Sequence, residues 1–371
     1  MAATAPSTPA DASPPSAALR RDPSKLEGVY ARLRERVGSK TLPAAALAVG
    51  DADGEIRSEA FAAKGLIRTD SLFFLASVTK PIFATAFMQL VESGAISLEA
   101  PIVRYIPEFA NAPGKADVTS VHLLTHSSGV PDYPVDRIRR DRPSAAAMTQ
   151  NAIDSPLKFM PGTHYEYCSA SFYLLARIIE QASGQRYTDY LRSRVLEPLG
   201  MLATFDPRKS RRPIVTVHGV GVDNVLTRFI VLRYLAATAV PGGGLFGTLD
   251  DLLRFGAATL RPKRDGDRYI PLTPASIELM RQDHLGGVPG LVDGEERPVH
   301  FGLGWGKPTL MHDIPGSKSV VSHGGAVGTR IWVDHDAELV IVFFSNQWSG
   351  ERGPENEAIA GVYEALGSGS P

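Results

Sequence analysis

Strand-like sequence occurs near both ends of this chain and is scarce between them. The apolar or alternating segments are residues 44–49, 56–63, 320–322, 329–333 and 339–345. The intervening part of the chain mostly carries helical periodicity and loops. Segments so far apart can share one sheet only if the chain between them folds as an insertion. The pattern predicts an α/β (α+β) fold: an antiparallel sheet built from both chain ends, flanked by helices, with an inserted and mostly α-helical domain.

The same pattern predicts the domain limits. We expect an α/β sandwich domain from residues 23–96 and 261–371, and an α-helical domain from residues 97–260. Residues 1–22 are rich in Ala, Pro and Ser, which predicts a disordered tail. This tail lacks the hydrophobic stretch of about 7–15 residues that a secretory signal needs, so the sequence predicts a cytoplasmic protein.

Composition argues against several classes of function. With 39 basic and 40 acidic residues the net charge is −1, which gives no reason to expect nucleic acid or an acidic membrane surface as a partner. No apolar run approaches the ~18 residues needed to cross a bilayer. The single cysteine, Cys168, excludes an internal disulfide and a multi-thiolate zinc site, and we expect it to be a small buried side chain. A small-molecule substrate is the predicted partner, and the oligomeric state stays open.

The segment Ser77-Val-Thr-Lys80 supplies a nucleophile and a base in one helical turn. It lies between an apolar run and an amphipathic segment, residues 81–91. Residues three apart share a helix face, so the hydroxyl and the amine come within side-chain reach. A serine hydroxyl is a poor nucleophile while it keeps its proton. A partly desolvated lysine can remove that proton. The alternative, a surface lysine in the first turn of an ordinary helix, is disfavoured by the apolar flanks.

The same spacing occurs again at Ser155-Pro-Leu-Lys158. Pro156 and Pro161 leave too short a stretch for a buried helix, because proline restricts the backbone before it. We therefore expect Lys158 to be a solvated loop residue.

Tyr167-Cys-Ser169 stands at the entrance of a predicted helix and carries further candidate residues. A phenol beside a cationic lysine has a lowered pKa and can accept or relay a proton. Ser169 could donate to a substrate carbonyl or to Lys80. The alternative is that Tyr167 packs its ring at the helix entrance, with Ser169 or Ser171 as the N-cap.

His323-Gly324-Gly325 joins two predicted strands. Its glycines would let a substrate lie against backbone amides, although a plain bend between strands is the alternative. His122 and His126 have the i, i+4 spacing of a helical zinc chelate. No acidic ligand or third histidine is suitably placed nearby, so we expect no metal site. The chain also lacks a Gly-x-Ser-x-Gly elbow, which argues against an ordinary α/β-hydrolase.

These three sites in this order resemble the class C β-lactamase and penicillin-binding-protein-like superfamily of serine hydrolases, closest in character to the family VIII carboxylesterases. The resemblance covers roughly residues 25–365. Further matching segments are Gln89-Leu-Val-Glu-Ser-Gly94, His122-Leu-Leu-Thr-His-Ser-Ser-Gly129, Pro161-Gly-Thr163, Gly243-Gly-Leu245, Thr248-Leu-Asp-Asp251 and Phe301-Gly-Leu-Gly-Trp305. The resemblance implies a helix–sheet–helix sandwich with an α-helical domain, and an acyl-serine mechanism without metal or cofactor.

Carried over residue by residue, the resemblance implies Ser77 as the nucleophile, with Lys80 and Tyr167 sharing the role of base. Their titrations would be coupled. It also implies the backbone amides of Ser77 and Ala326 as oxyanion donors. Ser169, His323, Gly324 and Gly325 would contact the substrate.

The sequence departs from the family pattern at two positions. Ser169 stands where the second motif usually has asparagine, so recognition of a β-lactam side-chain amide is in doubt. His323-Gly-Gly325 stands where true β-lactamases have Lys-Thr-Gly. An isolated histidine is mostly neutral at pH 7, so a fixed cation for a substrate carboxylate is lost.

The first functional hypothesis is therefore a carboxylesterase that acts on small neutral esters. A β-lactamase, a D-Ala-D-Ala carboxypeptidase or aminopeptidase-type amide hydrolase, and an acyltransferase with the same nucleophile are the alternatives within the family. A non-catalytic scaffold or binding protein is the alternative outside it.

Overall fold

The computed structural model describes residues 22–219, 224–260, 271–292, 294–348 and 353–367. Residues 1–21 of the predicted tail lie outside this part. The helices are α1 Glu27–Gly38, α2 Thr79–Glu92, α3 Ser120–Leu124, α4 Val135–Asp141, α5 Ala145–Asp154, α6 Ala170–Ser183, α7 Tyr187–Leu191, α8 Val225–Thr238, α9 Leu249–Leu260, α10 Pro274–Arg281, α11 Pro308–Met311 and α12 Gly353–Leu366. The strands are β1 Ala44–Asp51, β2 Gly54–Ala62, β3 Phe73–Phe74, β4 Phe246–Gly247, β5 Val288–Val292, β6 Glu295–Val299, β7 Val321–Gly325, β8 Thr329–Asp334 and β9 Leu339–Ser345.

One five-stranded sheet organises the molecule, with strand order β2-β1-β9-β8-β7. All of its pairings are antiparallel. The pairing of β1 with β9, from Ala45 opposite Ser345 to Gly50 opposite Val340, joins the two ends of the chain. The predicted sheet from both termini, flanked by helices, is thus confirmed.

Alternating side chains divide the sheet between two cores. Along β1, Ala46 and Ala48 face a front core that includes residues of α2, α6 and α9. Leu47 and Val49 face a rear core made with residues of α1 and α12. This is the period-two alternation of a strand that is buried on both faces.

Helix α9 packs against β1 and β9, on the front of the sheet. The predicted boundary at residue 260 would instead assign this helix to the α-helical domain. Helix α9 packs on the sheet because its apolar face, with Leu252, Leu253 and Phe255, is buried in the front core. The domain limits stay a prediction.

Helices α3, α5 and α7 each pack on α6, and α6 and α7 also contact α2. Helix α2 also shares the front core with β1, so it lies where the helical part meets the sheet. Among the described residues, no helix combines the length and apolarity needed to cross a bilayer. The predicted cytoplasmic location stays a prediction.

Candidate active site

Ser77 lies in a short 3₁₀ turn, Ala76–Val78, that leads directly into α2. Ala76 has a φ of +47°, which is unfavourable for a residue with a Cβ. Ser77 is half-buried, and Lys80, one turn further on, is fully buried. The Lys80 Nζ lies 3.2 Å from the Ser77 Oγ. The helical spacing thus brings the hydroxyl and the amine into contact.

The surroundings of Lys80 favour its neutral form. Burial lowers the pKa of Lys80 to about 7, and the opposing effects of Asp132 and Cys168 are smaller. Its Nζ donates to the carbonyl of Gly242 at 2.8 Å and forms no ion pair with a carboxylate of the described residues. An amine with this pKa is partly deprotonated at neutral pH, which a general base requires.

Tyr167 lies just before α6, beside Ser77 and Lys80. The Lys80 Nζ stands 4.8 Å from the centroid of its ring. The residue is 38 % exposed as a whole, whereas its hydroxyl interacts with Ser77. Burial raises the pKa of the Tyr167 phenol above its ordinary value, by more than the interaction with Ser77 lowers it. The expected lowering of this pKa was wrong, because burial of the phenol itself outweighs the interaction that lowers its pKa.

The Pro-Gly-Gly-Gly run at residues 241–244 is a part of the site that sequence reasoning missed. A Cβ on Gly242 would stand 2.9 Å from the ring of Phe172 and 3.2 Å from the Lys80 Nζ. Only glycine therefore lets this carbonyl reach the amine without displacing the ring. Four consecutive proline or glycine residues were the available signal, but the sequence does not tell which side chain they approach.

The third candidate segment, His323–Gly325, lies against the chain just before Ser77. At the end of β7, a Cβ on Gly325 would lie 2.5 Å from the Leu75 carbonyl oxygen. Thr329 Oγ1 donates to the same carbonyl at 2.9 Å. The turn that carries Ala326 therefore follows a strand end held against the chain just before Ser77. Gly325 packs against the backbone here, so the segment is more than a plain bend.

His323 and Ser169 are the two other candidate side chains. His323 is buried, its ring centroid is 6.2 Å from that of Tyr167, and its Nδ1 donates to the Gly324 carbonyl at 2.9 Å. Ser169 is the N-cap residue of α6 but makes no side-chain capping bond. The hydrogen bonds of the Lys80 amine go to Ser77 and Gly242, not to Ser169.

Three side chains singled out from the sequence have structural surroundings. Burial raises the pKa of the Cys168 thiol to about 12, which makes it a poor nucleophile. Lys158 follows α5 in a loop and pairs with Glu166. The Nδ1 of His122 accepts from the N–H of Thr119 at the start of α3.

His126 lies beyond the end of α3, so the i, i+4 spacing does not place it on one helix with His122. No cluster of three or more His, Cys, Asp or Glu residues suited to a metal occurs in the described part of the chain.

With this geometry in place, comparison with known proteins identifies the family. A family model named Beta-lactamase matches residues 29–364, nearly the whole chain. The chain belongs to the Beta-lactamase family. Esterase EstB of Burkholderia gladioli is 30% identical over 333 residues, which cover 78% of this chain and 81% of the esterase.

Two further proteins are similar over comparable lengths. Penicillin-binding protein 4 of Amycolatopsis lactamdurans is 30% identical over 339 residues, covering 82% of this chain and 87% of that protein. A penicillin-binding protein homolog from Caulobacter crescentus has a TM-score of 0.74 and 19% identity, covering 93% and 99% of the two chains, and shows the shared fold. The protein is a serine hydrolase of this family.

Proposed function

We propose that the protein is a carboxylesterase that hydrolyses small neutral esters through an acyl-enzyme on Ser77. The observation that carries this proposal is the Lys80 amine, fully buried, 3.2 Å from the Ser77 Oγ and with a pKa of about 7. Such an amine can remove the serine proton at neutral pH. A solvated lysine, with an ordinary pKa near 10.4, could not.

Acylation begins when Lys80 takes the proton of Ser77 and the Oγ attacks the ester carbonyl carbon. The carbonyl π electrons move to oxygen, and the backbone amides of Ser77 and Ala326 donate hydrogen bonds to this oxyanion. The intermediate then collapses and expels the alkoxide. Tyr167, protonated at neutral pH, gives its phenolic proton to the alkoxide and regains one from Lys80.

Deacylation repeats these steps with water as the nucleophile. Lys80, neutral again, takes a proton from water through the phenol, and the hydroxide attacks the acyl carbon. Collapse of the second intermediate breaks the bond to Ser77 and releases the acid. Ser77 regains its proton, so the cycle needs no metal or cofactor.

Two positions support the neutral ester as substrate. The segment His323–Gly325 offers the imidazole of His323 instead of a permanent cation for a substrate carboxylate. Ser169 is too short to bind a side-chain amide as an asparagine would. The similarity to a protein named as an esterase supports the same reading.

A penicillin-binding activity is the second candidate, because Penicillin-binding protein 4 is equally similar in sequence. Its substrates would be D-Ala-D-Ala peptides or β-lactams. The absence of a fixed cation from the third segment counts against it.

Hydrolysis of p-nitrophenyl butyrate by the wild type and by Ser77→Ala tests the proposal. We expect the substitution to lower kcat/KM by about 10⁴-fold and to abolish labelling by a fluorophosphonate probe. Nitrocefin and a D-Ala-D-Ala peptide, assayed in parallel, test the second candidate. Ester hydrolysis that survives in Ser77→Ala would overturn the mechanism, and faster turnover of nitrocefin than of the ester would overturn the substrate.

A further inference from the structure

His126 contacts Tyr167 and both of its chain neighbours. Its carbonyl accepts from the N–H of Glu166 at 3.0 Å, and its Nδ1 accepts from the N–H of Cys168 at 3.1 Å. Its ring lies 4.4 Å from the ring of Tyr167 at an interplanar angle of 33°. One residue thus fixes the backbone before Tyr167, the backbone after it, and one face of its ring.

Asp132, six residues further along, holds the next part of the same segment. Its Oδ1 accepts from the N–H of Ala170 at 2.7 Å and from the Cys168 Sγ at 3.5 Å. The segment from Glu166 to Ala170 is therefore held by acceptors that all belong to one short stretch, residues 126–132.

Packing alone does not explain a histidine at this position. His126 is 1 % exposed and surrounded by the aromatic rings of Tyr165, Phe172 and Phe301. Because its Nδ1 accepts a hydrogen bond, its Nε2 carries the proton, and this buried N–H has no partner among the described residues. A phenylalanine would fill the space without that unsatisfied donor.

The backbone of His126 adds a second cost. Its φ is +60°, a conformation that costs about 1 kcal/mol or more outside glycine. Strained backbone and unpaired buried polar groups concentrate at functional sites.

We propose that His126 is a positioning residue for the reaction, which holds the Tyr167 phenol against Ser77 and Lys80 through its hydrogen bond to the Cys168 amide, with Asp132 as a second anchor. This inference rests on the proposed function, because it gives Tyr167 a part in proton transfer. Burial lowers the pKa of His126 well below its ordinary value, and Lys80 and His323 lower it further. The imidazole is thus a neutral acceptor at working pH, and His126 takes no proton in the cycle.

Two substitutions separate the acceptor from the ring. His126→Asn places an amide oxygen near the position of Nδ1 and removes the aromatic ring. Asparagine also tolerates a positive φ. His126→Phe keeps the ring and removes the acceptor. The matched pair therefore asks which feature of His126 positions Tyr167.

The experiment measures kcat, KM and the melting temperature of both variants with p-nitrophenyl butyrate. We expect His126→Phe to lower kcat by about 10- to 100-fold with KM changed less than about threefold, because a misplaced catalytic group impairs the transition state more than binding. We expect His126→Asn to recover kcat to within about fivefold of the wild type. Equal kcat losses in both variants, or no loss in either, would overturn the proposal. A wild type without esterase activity would instead refute the proposed function.

If His126→Phe does not fold, two substitutions of Asp132 test the proposal instead. Asp132→Asn keeps an acceptor for the Ala170 N–H, and Asp132→Ala removes it, so we expect a larger fall in kcat for the alanine variant. Among the described residues, Asp132 and, to a smaller extent, Cys168 raise the pKa of Lys80, while the rings of Tyr167 and Phe172 lie 4.8 and 5.1 Å from its Nζ. Both variants should therefore move the acidic limb of the pH profile to lower pH. Equal kcat in the two variants would overturn the anchoring role.

Discussion

Two charged side chains, one on each side of the central sheet, are buried with different partners. On the rear side, Arg330 of β8 donates to Glu355 of α12 at 2.6 Å, with side chains 11% and 6% exposed. On the front side, the hydrogen-bond partners of the fully buried Lys80 among the described residues are a hydroxyl and a carbonyl. The same scaffold thus holds one neutralised charge and one whose ionisation is suppressed.

Asp334 extends the contrast on the rear side. It accepts from Ser317 Oγ at 2.6 Å and from the Tyr363 hydroxyl at 2.7 Å, and the same hydroxyl accepts from the Trp332 indole at 3.0 Å. Burial alone would raise the pKa of Asp334, but these donors and nearby backbone N–H groups together lower it below its ordinary value.

These two sets of buried groups therefore contribute to stability with opposite signs. Buried polar groups with complete partners hold a fold together, whereas a buried amine without a counter-ion destabilises it. We infer that the partnered groups at the rear stabilise the fold, whereas the Lys80 amine at the front lowers its stability and keeps the site reactive.

Replacing Lys80 should give the largest effect. Lys80→Met removes the proposed base, and we expect kcat/KM for p-nitrophenyl butyrate to fall by about 10³- to 10⁴-fold. The same change should raise the free energy of unfolding by about 2–4 kcal/mol at neutral pH, because a buried amine no longer has to lose its proton on folding.

The pH dependence of that stability gain follows from the lowered pKa of Lys80. The pKa falls from 10.5 to about 7, so between these values the unfolded wild type binds more protons than the folded one. Wild-type stability should rise with pH across this window, and the advantage of Lys80→Met should shrink accordingly. Urea unfolding at several pH values measures this. A variant less stable than the wild type at neutral pH would contradict the contrast.

Breaking the ion pair of Arg330 and Glu355 at the rear should instead lower the free energy of unfolding. Glu355→Gln leaves the buried guanidinium of Arg330 without its counter-ion, and we expect a loss of about 3 kcal/mol in the free energy of unfolding. Glu357→Gln, on the same helix, is the matched control. Glu357 pairs with Arg36 but is 53% exposed, so its loss should be below about 0.5 kcal/mol. Equal losses would show that burial of the pair does not matter.

The pH–rate profile sharpens the comparison through catalysis. Because the base must be deprotonated and its pKa is about 7, kcat/KM should fall about tenfold for each pH unit well below 7. Initial rates between pH 5 and 8 check this, with Ser77→Ala as the background. A flat profile over this range would mean that Lys80 is not the base.

Local sequence patterns were sufficient to predict the sheet and the first pair of site residues. Strands β1 and β9 carry apolar side chains on both faces. This pattern is visible in the sequence without knowledge of the elements that pack against the strands. The contact of Ser77 with Lys80 depends only on helical spacing, which explains why it could be predicted.

The remaining parts of the site depend on contacts between distant segments. The bond from Lys80 to Gly242 spans 162 residues, and the bond from Cys168 to His126 spans 42. Neither leaves a local pattern. The pKa of Tyr167 was mispredicted for a related reason. The sequence does not show how deeply the phenol is buried, and this burial raises its pKa.

The smallest predicted effect concerns a single hydroxyl on the rear side. Tyr363→Phe removes a donor to Asp334 and the acceptor of the Trp332 indole, and we expect a loss of about 1 kcal/mol in the free energy of unfolding at neutral pH. The hydroxyl helps to lower the pKa of Asp334, so the contribution is present above the ordinary aspartate range and declines as pH falls through the folded-state pKa. Urea unfolding at pH 7 and pH 3 should therefore show a larger difference from the wild type at pH 7. A difference that grows in acid would mean that the hydroxyl stabilises the protonated carboxyl, and the rear side would then also contain a group whose ionisation is suppressed.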